Sequence, residues 1–127
     1  LPALAGAVLA LAACGRNTPT GRVCTLVACL GQLQVVLDGP GASRVTGIRV
    51  SAADSSRLWS CTAATPCTGA EGVSFSGFTP DTVTIRVVTA TDSTAFTVAP
   101  AYTTVYPNGP GCPGECRTAS VAITISP

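Results

Sequence analysis

A chain of 127 residues has room for one domain and a tail. Charged side chains make up 10% of it and the net charge is +1, so it lacks the clustered cations that nucleic acid or an acidic membrane surface would attract. Histidine and lysine are both absent, which removes the base of a hydrolytic triad, Ser-Lys dyads and Schiff-base chemistry.

Residues 1–13, LPALAGAVLALAA, carry no charge and are apolar or small throughout. Such a run reads either as a short buried helix or as the h-region of a signal peptide. It is too short for a transmembrane span, which takes about 20 apolar residues. No basic segment precedes it and the chain begins at Leu1, so the true start is expected to lie upstream. The run closes on Leu11-Ala12-Ala13-Cys14, which resembles the bacterial lipobox. That resemblance implies cleavage before Cys14, a thioether-linked diacylglycerol on its sulfur, and acyl chains such as palmitate as a membrane anchor. A cysteine is needed because the thiolate is the nucleophile in lipid transfer. Several acyl chains anchor stably, each buried methylene being worth about 0.8 kcal/mol. Gly15 stands where an Asp would resemble an inner-membrane retention signal, so the outer membrane is the favoured address.

Residues 15–22, GRNTPTGR, are polar and aperiodic, and read as a tether reaching no more than about 28 Å. The expected organisation is therefore a signal peptide over 1–13, a lipidated cysteine and tether over 14–22, and a folded body over 23–127.

Seven cysteines less Cys14 leave Cys24, Cys29, Cys61, Cys67, Cys112 and Cys116. An even number of cysteines outside the cytoplasm implies disulfides, with 15 possible connectivities. They fall as three close couples, and local pairing is the expectation: Cys24–Cys29, Cys61–Cys67 and Cys112–Cys116. Their spacers of four, five and three residues, without histidine, argue against zinc, and no Cys-x-x-Cys suggests a redox role.

Alternation with period two recurs from residue 32 onward. It places Leu33, Val35 and Leu37 on one face, before a turn at Asp38–Gly41. Further runs span 45–50, 57–62 (with Trp59, read as core or sheet packing), 73–77 and 81–89. A long run over 94–106 is interrupted at Pro100, where a break, bulge or edge is expected. The last, 120–126, turns Val121, Ile123 and Ile125 inward. About seven short strands without helical periodicity predict an all-β, antiparallel two-sheet sandwich after a helical signal segment. The layout looks like the immunoglobulin or fibronectin type III class, without the Cys-Trp-Cys spacing of true immunoglobulin domains. The segment PNGPGCPGECR over 107–117 is also similar to short cysteine-containing lipoproteins of high-GC bacteria.

The acids Asp38, Asp54, Glu71, Asp81, Asp92 and Glu115 mostly adjoin Gly, Ser, Thr or Pro, where carboxylates organise turns. No calcium loop or phosphate loop is present, no cofactor is implied, and an enzyme is not expected. A glycosidase would need two of these acids to converge. The 107–117 loop, stapled on the local pairing, is expected first to be a disulfide-stabilised hairpin and second a recognition tip, with Tyr102 and Tyr106 near it serving a binding surface or sheet-face packing. The leading expectation is a lipid-anchored, non-catalytic structural or binding module. Its partners would be the membrane, through acyl chains on Cys14, and an envelope protein in the docking alternative. A carbohydrate-active enzyme is the weaker alternative.

Overall fold

The computed structural model describes residues 24–127. Eight strands form two four-stranded sheets. The first sheet has the order β4-β1-β8-β7, from β1 (Gln32–Asp38), β4 (Val73–Ser76), β7 (Thr103–Val105) and β8 (Cys116–Thr124). The second has the order β3-β2-β5-β6, from β2 (Val45–Ala52), β3 (Ser55–Ser60), β5 (Val83–Thr89) and β6 (Ser93–Val98). The all-β, disulfide-stapled two-sheet sandwich is as the alternation predicts, and its general layout is consistent with an immunoglobulin-like fold. Pairing is antiparallel except between β1 and β8, which run parallel from Gln32↔Thr118 to Asp38↔Thr124.

The core is the sum of the inward faces. Leu33, Val35, Leu37, Val73, Phe75, Val121 and Ile123 from the first sheet meet Ile48, Val50, Val83, Ile85 and Val87 from the second. Arg49 and Arg86, at the alternate positions of β2 and β5, are exposed as the period requires. Trp59 is half-buried against this core, and its indole N–H donates to the Thr65 carbonyl at 3.3 Å. Packing is therefore its observed role.

The expected run over 94–106 divides at Pro100. Residues before it pair with β5 in the second sheet, and residues after it pair with β8 in the first. A proline cannot donate to a ladder, and here the chain crosses between sheets at that point. The split adds an eighth strand to the seven expected. β8 starts earlier than its hydrophobic pattern indicates, at Cys116, because β1 and β7 pair with its first residues.

Register sorts the loops between two ends. Gln32 pairs with Ser76 and Thr118, which gathers residues 24–31, 77–81 and 105–117 at one end. Asp38 pairs with Thr124 and Val45 with Thr89, which gathers Gly39–Arg44, the β5–β6 hairpin and residues 125–127 at the other. A short 3-10 turn, Ala42–Arg44, covers that far end.

Candidate functional site

Cys14, the signal segment and the tether lie outside the described residues. The six other candidate cysteines are all disulfide-bonded, but only Cys61–Cys67 is the expected local couple. The other two local pairings are corrected: the bonds are Cys24–Cys112 and Cys29–Cys116, each with a Cα–Cα distance of 5.7 Å. The cause is the parallel register of β1 and β8. Carried back from Gln32↔Thr118, it brings residues 29–30 beside Cys116.

Asn108 completes the join. It is the buried polar residue of the described region, and its side-chain amide acts as a peptide group. Oδ1 accepts from the Val27 N–H at 2.6 Å and the Thr25 hydroxyl at 3.1 Å. Nδ2 donates to the carbonyls of Val27 at 3.1 Å and Pro113 at 2.9 Å. All four of its hydrogen-bonding capacities are thus used. Gly114, at φ +96°, leaves the room this needs, since a Cβ there would come within 2.5 Å of Asn108 Nδ2. The 107–117 loop is consequently pinned to the first described segment instead of being stapled to itself. Asn108 was missed from sequence, where it is one more turn residue in Pro-Asn-Gly-Pro.

A second knot at the same end centres on Arg117. Its guanidinium pairs with Asp81 at 3.2 Å, donates to the Thr79 carbonyl at 2.7 Å and lies 4.4 Å from the centroid of the Tyr102 ring. The Tyr102 hydroxyl donates to the Pro80 carbonyl at 2.6 Å. Burial pushes the Tyr102 phenol above its ordinary pKa, with Arg117 opposing the shift and Asp81 adding to it. Tyr102 is therefore a clamp between the β4–β5 loop and the chain entering β7, while Tyr106 is half exposed on the surface.

The far end holds a groove of about 730 Å³. Its walls include Val87, Phe96 and Ile125, with Arg44, Thr94 and Asp92 supplying polar groups. Asp92 sits in the β5–β6 hairpin, where its N–H bonds to the Thr89 hydroxyl at 3.0 Å and its carbonyl accepts from the Thr89 N–H at 2.8 Å. Of the six acids it is the one lining this groove. Asp54 and Glu71 lie in turns and Asp38 ends β1, in keeping with the structural reading of these carboxylates. Among the described residues no group of three or more His, Cys, Asp or Glu side chains is placed to hold a metal ion.

No protein-family model, no curated protein and no solved structure matches this chain.

Proposed function

We propose that the protein is a lipid-anchored, extracytoplasmic, non-catalytic module, structural or binding, held to a membrane through acyl chains on Cys14. The observation that carries the reading is where the chain enters the sandwich. Cys24 is bonded into the end opposite the far groove. An anchor ahead of Cys24 therefore holds one end near the lipid and presents the other. Complete pairing of the six described cysteines supports an oxidising compartment, and it leaves Cys14 as the one cysteine for lipid. Gly15 favours the outer membrane in a bacterium that has one. The test is metabolic labelling with a palmitate analogue, which should mark the wild type and not Cys14→Ser. Equal labelling of that variant would defeat the anchor.

Docking onto an envelope complex is the second reading, favoured by one feature. β7 is a three-residue edge strand, exposed along its length, beside the 107–117 loop. Such an edge offers unpaired backbone groups to another chain. Crosslinking from Thr104 in the intact envelope should then capture a reproducible protein partner, and the absence of one removes this reading.

A further inference from the structure

Most of the large hydrophobic side chains exposed by the described residues gather at the end where the chain enters. Leu26 is 94% exposed and Leu30 77%, and Val27, Val105 and Tyr106 accompany them, while Leu58 on β3 stands apart. This face is not a frayed terminus. Cys24 and Cys29 flank Leu26 and Val27 and are bonded to Cys112 and Cys116, and Asn108 grips the Val27 backbone from both sides. An apolar segment is thus held rigidly in solvent, at a position where burial contributes little to its order.

The chemistry of the face matches a lipid surface. Residues 24–37 and 103–114 contain no Asp, Glu, Arg or Lys, so pressing these stretches against an apolar layer desolvates no charge on them. Tyr106 combines a ring with a hydroxyl, the character that suits the boundary between headgroups and acyl chains. Of the charges flanking these stretches, Asp38 stands at the opposite end of the sandwich, while Glu115 follows the second stretch and Arg117 is paired with the exposed Asp81.

The chain itself indicates what covers the face. Cys24 belongs to it and stands ten positions after Cys14, a distance of no more than about 36 Å at full extension. A tether of that length makes contact between face and bilayer intramolecular, so even a weak preference for the interface is realised. We infer that the face formed by Leu26, Leu30 and Tyr106 seats in the interfacial layer of the bilayer holding the anchor, with the far groove pointing away from it. The occupant rests on the lipid-anchor reading; the exposed, cross-linked apolar face does not.

The test uses the full mature protein, purified with its native modification and placed in phosphatidylethanolamine–phosphatidylglycerol vesicles containing brominated lipid. Trp59, the single tryptophan, is on β3 and serves as an internal reference in every sample. Leu26→Trp and Leu30→Trp each add an indole on the face, and the disulfides of each variant are checked by mass. The expected result is that the added indole is at least about twofold more strongly quenched than Trp59, as for a side chain at the interfacial depth. Equal quenching of both indoles, or none of either, overturns the seating. So does a concentration-dependent dimer, or burial under residues 14–23, that shields the added indole from brominated lipid. Mass spectrometry of the same samples reads acylation separately. A chain without acyl groups refutes the anchor, and it refutes the seating as well unless the added indole is still quenched when that chain meets the vesicles.

Discussion

Leu30 and Leu33 lie three positions apart in one uncharged stretch, yet Leu30 is 77% exposed and Leu33 is 0%. Leu33 stands on β1 between β4 and β8, under the second sheet, and is ordered by what it buries. Leu30 precedes the ladder and is ordered by cross-links at Cys24 and Cys29. Hydrophobicity alone does not separate the two. What separates them is whether the topology supplies a partner on both sides.

The sharpest break of this comparison is loss of both long-range disulfides. Replacing Cys24, Cys29, Cys112 and Cys116 with Ser should remove about 5–7 kcal/mol by chain-entropy reasoning, read from urea unfolding. Leu33→Ala should come next at about 2–5 kcal/mol, for lost burial and the cavity left behind. Removing the Cys24–Cys112 bond alone should cost only about 2–3 kcal/mol, because Cys29–Cys116 still closes the large loop and the ring lost is small. A single removal as costly as the removal of both would show that the two interleaved bonds do not close one shared large loop.

Tyr102→Phe gives up the bond to Pro80 and should cost about 0.5–1.5 kcal/mol near neutral pH. The phenol is raised above its ordinary value of 10.0 in the folded state. Its contribution is therefore whole below pH 10 and is lost as pH rises through the folded value. The gap between wild type and Tyr102→Phe should narrow above pH 10 in urea titrations, and a gap that widens would reverse the sign. Leu30→Ala closes the series, expected within about 0.5 kcal/mol of wild type because it uncovers nothing that was buried.

The central strands were legible in the sequence because their period survives in single residues. Leu33-Val35-Leu37 and Val83-Ile85-Val87 alternate without interruption, and Arg49 and Arg86 mark the outer faces. Pro100 showed where a run would stop, but the sheet change beyond it depends on β8, which arrives later in the chain. The disulfides were legible in number, and in partners only for Cys61–Cys67. Pairing over separations of 88 and 87 residues follows from the parallel register of β1 and β8, and no local spacing encodes that register. Asn108 and Arg117 were hidden for the same reason: one completes the backbone bonding of Val27, the other braces Thr79 and Asp81. The far groove left no motif, since its walls come from three separate stretches of chain.

The cross-link between the first described residue and the 107–117 loop also governs how the domain carries tension. A pull along the chain from Cys24 passes through sulfur to Cys112 and so bypasses the polypeptide between them. While the bonds are intact, that intervening length cannot be paid out. Stretching beyond Cys116 releases at most about 40 Å of chain, residues 117–127, against roughly 350 Å for residues 24–127 without the short cut. In the anchored protein proposed above, tension entering at Cys24 would thus be diverted away from strands β1 to β7 and fall on β8, the strand that continues beyond Cys116.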